Sequence, residues 1–330
     1  MTGASLGWPP PCSEWARSQE LSPIGSAGHY AGYVLVELPL PWPPDISALA
    51  ELADVVDLVN GAGLRLQAIA PPGGAVERRR VIYYGTARPG WAGPLRRREG
   101  DAGAGPGALA EAVADLLAGG AGSSARAGPG PEVPGPQVVD VLVCTHGRRD
   151  ACCGGRGTEL VRALAAPGPA GPVWGSAPSG GSGAVPEVRL WRTSHTGGHR
   201  FAPTALVLPS ATLWAWADVD LLERVVRSEG PLADVVSRYR GCATLGAPPQ
   251  QAVDKSVLAE VGWPLLSSWR RAWSAGDGLV QLETESSGTW EARVAEGRHV
   301  PQPECRTPPE LATKQSVEWV VGPLRHVAPV

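Results

Sequence analysis

The chain has 330 residues, enough for about two domains that each bury a core. Glycine (43 residues) and proline (34) run to nearly twice their usual share, yet hydrophobic residues still make up 43%, which describes folded units joined by loose connections. With 29 Lys and Arg against 32 Asp and Glu the net charge is −3, so no global basic surface exists to neutralise phosphates, and nucleic acid is not an expected partner.

The opening MTGASLGWPPPC has no basic segment followed by an apolar core, and no apolar run approaches the ~20 residues of a membrane helix. The sequence therefore predicts a cytoplasmic chain with no membrane partner. Residues 33–38 (YVLVEL) are strand-like, and 46–60 carry apolar residues at helical spacing up to Gly61 and Gly63. Residues 64–70 and 79–85 read as strands, and 107–120 as a helix ended by two glycines, giving β-α-β-β-α over an N-terminal α/β region of residues 1–118. Residues 119–137 hold ten Gly or Pro in nineteen positions and read as an interdomain linker.

Residues 138–143 (VVDVLV) form a strand leading into Cys144, and 158–166 have helical periodicity, which places the intervening cysteines on a strand-to-helix loop. A second Pro/Gly-rich stretch, 167–186, reads as a surface insertion before a strand at 187–194. ALVLP at 205–209 and TLWAWA at 212–217 suggest a hairpin, and Asp218 caps a helix over 218–230, so residues 138–240 read β-α-β-β-β-α. Beyond residue 240 a helix near 249–261, a hairpin through 279–297 and a last strand within 317–327 make a β-rich tail, residues 241–330.

The chemistry concentrates in Cys144, Cys152, Cys153, His195 and His199. A C-x8-C (or C-x7-C) pair is followed after 41 residues by HTGGH. Thiolate and neutral imidazole suit zinc, iron and copper rather than calcium or magnesium. Zinc fingers draw their cysteines from C-x2-4-C on a tight turn, whereas the wider gap suits a larger object, such as a [2Fe–2S] cluster with a cysteine pair on one iron and a histidine pair on the other. Gly197 and Gly198 disfavour a helix and permit positive φ, so HTGGH is a loop whose backbone N–H groups can approach the bridging sulfides. A zincin site would need Glu where Thr196 stands.

CTHGRRDACCG at 144–154 and HTGGHRFAPTALVLPS at 195–210 resemble the sucrase/ferredoxin-like family, as do Cys12-Ser13, SPIGSAG at 22–28 and LVELPLPW at 35–42. The resemblance implies a thioredoxin-like ferredoxin domain over 138–240 and a [2Fe–2S] cluster held by Cys144, Cys153, His195 and His199, with Cys152 as the competing second thiol. It implies an electron-transfer protein exchanging electrons with a partner reductase or oxidase. No carboxylate pair carries a glycosidase signature that would support the word sucrase.

Two rivals stay open: a structural Cys2His2 zinc site, and a thiol oxidoreductase on the same fold, which lacks the C-x-x-C spacing. His146, Arg149, Asp150 and Arg200 either face solvent or tune the cluster. Cys12, Cys242 and Cys305 are expected to be unpaired thiols with no link to a site. Most of the thirteen tryptophans are expected in the core, with Trp191 and Trp214 able to shield the cluster, and the arginine runs at 78–80 and 96–98 to be solvated.

Overall fold

A computed structural model describes residues 11–119, 126–127, 138–166, 186–305 and 307–327. The expected linker 119–137 and insertion 167–186 lie almost wholly outside the described residues. After a short helix α1 (Cys12–Ser18), the chain enters β1 (Gly32–Glu37), α2 (Ala53–Gly61), β2 (Arg65–Ala70), β3 (Arg80–Gly85), β4 (Arg96–Asp101), α3 (Ala108–Ala118) and a short β5 (Arg126–Ala127). It continues with β6 (Val138–Cys144), α4 (Thr158–Ala165), β7 (Glu187–Thr193), β8 (Ala205–Leu208), β9 (Thr212–Trp214), α5 (Val219–Arg227), β10 (Tyr239–Cys242) and α6 (Pro248–Val261).

These ten strands form one sheet in the order β10-β9-β8-β6-β7-β2-β1-β3-β4-β5, so the sheet continues from the N-terminal region into residues 138–242. The pairs β1–β2 and β6–β7 are parallel, and the other pairings are antiparallel. Central β1 is buried throughout because both faces are covered, and all its residues but the last, Glu37, are apolar or glycine apart from the Tyr33 hydroxyl. Tyr33 and Leu35 enter one core, and Val34 and Val36 enter another, completed by Val55 and Val59 of α2 and Leu109, Val113 and Leu116 of α3 at helical spacing. The larger core gathers α4, α5 and α6.

The tail is a second antiparallel sheet of β11 (Arg270–Ser274), β12 (Leu279–Thr284), β13 (Gly288–Pro301), β14 (Gln315–Val321) and β15 (Arg325–Val327). Val280, Leu282, Ala292 and Val294 join it to the larger core, alongside Val253 and Val257 of α6. A buried knot ties the two parts. Asp254 of α6 accepts from Tyr239 Oη (2.6 Å) and Arg270 Nε (2.6 Å), both fully enclosed.

Two expectations need correction, and one element was not read from the sequence. Residues 46–52 form two tight 3-10 turns, the first capped by Asp45, and the α-helix begins only at Ala53. Residues 96–101 (RRREGD) form a strand in which Arg96 is exposed as expected but the next two arginines are paired: Arg97 Nε reaches the buried Asp140 (2.9 Å) and Arg98 Nη1 the carbonyl of Leu116 (2.8 Å). Residues 12–18 form a helix that the proline-rich opening conceals. The Asp218 cap is present, accepting from the Leu221 N–H at 2.8 Å. Among the described residues, no helix is long and apolar enough to cross a membrane.

Candidate metal centre

Parallel pairing creates the site. β6 and β7 lie side by side with Cys144 opposite Thr193, so the segments leaving their C-terminal ends emerge together. From β6 the chain turns through Thr145–Asp150, whose return is fixed by the Arg149 and Asp150 N–H groups on the His146 carbonyl. It then winds into a widened helical turn, Cys153–Gly157, that runs into α4. Cys152 and Cys153 thus stand at the start of a helix, not on the loop expected. A Cβ at Gly157 would lie 2.0 Å from the Cys144 carbonyl oxygen, so the turn reaches the strand end only with glycine there. From β7 comes HTGGH, with Gly197 (φ +80) and Gly198 (φ +66) left-handed as expected, and His199 opening a 3-10 turn.

The fully buried Cys144 Sγ faces the Cys153 thiol and the backbone N–H groups of His146 and Thr196. The hydrogen bond from Cys153, aided by those N–H groups and by His195, outweighs burial and brings the Cys144 thiol down to about 6. Cys153, which keeps the proton between them, is pushed up.

Cys12, Cys144, Cys152 and Cys153 pack in one buried cluster with Cys305 against it. This corrects the expectation for Cys12 and Cys305, which are not isolated. Cys12 Sγ lies 3.4 Å from the Sγ atoms of both Cys152 and Cys305, which are 3.6 Å apart, and 3.1 Å from His199 Nδ1. Cys305 Sγ is 3.8 Å from the same nitrogen. Hydrogen bonds from Cys12 and Cys305 lower the Cys152 thiol, and Cys12 is raised in turn. Cys242 sits elsewhere, against the Ser210 carbonyl at 3.6 Å.

His195 Nδ1 is 2.6 Å from Asp150 Oδ2, and neither atom has another partner. The carboxylate thereby favours a proton on Nδ1 and leaves Nε2 with its lone pair free. Burial works to raise Asp150, but its contacts with His195 and His199 hold it below the usual carboxylate range. His146 is buried and committed to structure, its Nε2 donating to the Pro43 carbonyl (2.7 Å) and its Nδ1 accepting the His195 N–H (3.2 Å). Burial lowers the His199 imidazole, which keeps it neutral.

Two buried guanidiniums flank the thiols, and among the described residues neither has a carboxylate on it. Arg240 bonds Ser26 Oγ, the Ser26 carbonyl and the Gly197 carbonyl (3.0, 2.7 and 3.1 Å), and Arg200 stacks on Phe201 with its Nε unpartnered. Burial lowers both to about 10. Of the four charged or ionisable neighbours expected to face solvent or tune the site, only Arg149 is exposed. Trp191 donates to Asp140 (2.6 Å) and Trp214 packs on Tyr239, so both belong to the core. A cavity of about 340 Å³, lined in part by Tyr30, Arg65, His146, Arg149 and His195, opens one flank of the site to the surface.

No curated protein and no solved structure matches the chain. Residues 23–241 match the family model described as sucrase/ferredoxin-like, a stretch that includes Cys144, Cys152, Cys153, His195 and His199 and leaves out Cys12 and Cys305. Since that match spans well over half of the 330 residues, the chain belongs to the sucrase/ferredoxin-like family.

Proposed function

We propose that the protein is an electron carrier in which Cys144, Cys153, His195 and His199 hold a [2Fe–2S] cluster within a thioredoxin-like domain. One observation carries this reading: the ends of β6 and β7 bring the facing Cys144 and Cys153 thiols to the HTGGH loop, whose Thr196 N–H is aimed at Cys144. The strand order β7-β6-β8-β9, with only β6 and β7 parallel, is in keeping with the thioredoxin-like arrangement.

The donor set fits the group: two thiols supply the charge, and two imidazoles complete the coordination. When bound, such a cluster supplies one-electron exchange. The chain's own residues do the rest. Asp150 orients His195 and fixes its tautomer, and Arg240 anchors the histidine loop through Gly197. Arg200 and Arg240 favour the more negative, reduced state, which raises the potential. His195 borders the open cavity, which gives a partner reductase or oxidase a short path to the site. The six thiols, none of them in a disulfide, support a reducing, cytoplasmic setting.

Anaerobic purification with iron and sulfide counts, visible absorption and reduced-state EPR tests the reading. About two irons and two sulfides per chain are expected. A colourless protein without iron would refute it.

A further inference from the structure

Cys12, Cys152 and Cys305 have no part in the ligand set proposed above, yet they meet at one point from remote segments: α1, the start of the α4 turn, and the connection between β13 and β14. Their three Sγ atoms form a nearly equilateral triangle with edges of 3.4, 3.4 and 3.6 Å. A disulfide joins two sulfurs at about 2.05 Å and has no use for an equidistant third. A tetrahedral ion with Zn–S near 2.3 Å instead spaces its sulfurs at about 3.8 Å, close to the spacing found. His199 Nδ1 lies 3.1 and 3.8 Å from the sulfurs of Cys12 and Cys305, the range for neighbours around one ion, and these three donors form a compact group that Cys152 joins through its two sulfur neighbours. Beside Cys152, the buried Ser13 Oγ has no other partner and can donate to a thiolate.

We infer that Cys12, Cys152 and Cys305, with Nδ1 of His199 as fourth ligand, bind a zinc-type ion as a second metal site beside the first. Each thiol gives up its proton as the ion enters, and the metal supplies the compensating positive charge. The ion joins the N-terminal helix and the tail sheet to the helix start that carries Cys152. His199 offers Nδ1 to this ion and would keep Nε2 for the neighbouring iron, its ring giving up its remaining N–H proton to solvent, as the thiols do, so that an imidazolate bridges the two metals. The zinc site itself does not depend on the cluster reading, because its three thiols lie outside that set.

The full chain, prepared with zinc sulfate present and then dialysed, is analysed for zinc and iron beside three variants. The iron-free Cys144→Ala/Cys153→Ala protein is expected to retain about one zinc per chain, and Cys12→Ser and Cys305→Ser to lose it while keeping iron. In the iron-free protein, added zinc should slow alkylation of Cys12, Cys152 and Cys305 by about tenfold or more, and cobalt should give the thiolate charge-transfer and tetrahedral bands. Should the single variants fail to fold, these two measurements decide. Unchanged zinc in folded Cys12→Ser and Cys305→Ser, loss of iron rather than zinc from them, a disulfide among the three, or no zinc protection would each overturn the inference. Failure of the cluster reading has a separate signature: wild-type protein that holds zinc but no iron.

Discussion

Gly198→Ala tests how the histidine loop is held. Gly198 sits at φ +66 and ψ 41, and a Cβ there would lie 2.4 Å from Arg240 Nη2 and 2.8 Å from its Cζ. Left-handed backbone costs an alanine about 1–2 kcal/mol. The clash adds more, because the guanidinium is fully buried and cannot swing into solvent. Losing one of its hydrogen bonds, to the Gly197 carbonyl or to Ser26, costs about 1.5–3 kcal/mol for a charged donor. The total of roughly 3–5 kcal/mol shifts a loop-opening equilibrium by about 10²–10⁴-fold, at the residue next to His199.

Gly197→Ala is the matched control. Its φ of +80 imposes a similar backbone cost, but Arg240 Nη2 is 3.9 Å from the added methyl, an ordinary contact. The entropy that alanine removes from the unfolded chain is common to both variants and cancels. Urea denaturation and metal content, measured side by side, should rank wild type, Gly197→Ala and Gly198→Ala in descending order, with the last losing most of its metal. Equal stability and equal metal content in the two variants would refute the account of Arg240 as the post behind the loop.

Arg200→Gln should lower the reduction potential by roughly tens of millivolts, since a buried cation is removed beside the thiols; protein-film voltammetry showing no change would separate Arg200 from the site's charge. Asp254→Ala should cost about 3–5 kcal/mol in urea unfolding by stranding the enclosed Arg270, and a loss under about 1 kcal/mol would refute the knot as a structural tie. Glu99 is held low because Arg97 and Arg189 outweigh its burial, so it binds a proton more readily unfolded than folded. Its stabilisation is present above the ordinary value of 4.5 and is lost as pH falls through the folded value below that. Glu99→Gln should flatten the acid limb of the stability curve, and an unchanged slope would count against these pairs.

Periodicity made most of the first sheet legible, because β1, β6 and β8 are apolar runs broken only by Glu37 at the end of β1 and Asp140 within β6, and α5 carries its Asp cap in plain view. RRREGD was not legible as a strand. Its side chains are stabilised by partners far along the chain, Asp140 and the Leu116 carbonyl for the arginines and Arg189 for Glu99, and no local pattern announces them. At the site, the cysteines and histidines of β6 and β7 could be grouped because short motifs carry them. Cys12 and Cys305 could not, since 140 and 153 residues separate them from Cys152. The pairing of Cys12 with Ser13 was the one signal available, and it pointed to resemblance without pointing to a contact.

The charges at this end of the sheet argue for metal on their own. Arg200 and Arg240 are both buried, and Asp150 is the carboxylate beside the histidines, which leaves positive charge to be offset. Thiolates are the groups at hand to offset it. Deprotonated sulfurs 3.4–3.6 Å apart repel strongly in a medium that screens poorly, so such a set is stable only with cations among them. Protonated, the same thiols would leave two guanidiniums desolvated with no anion to answer them, at a cost of several kcal/mol. On the proposed reading bound metal relieves both penalties together, and metal removal should therefore loosen α1 and the β13–β14 connection while leaving the distant core of α2 and α3 in place.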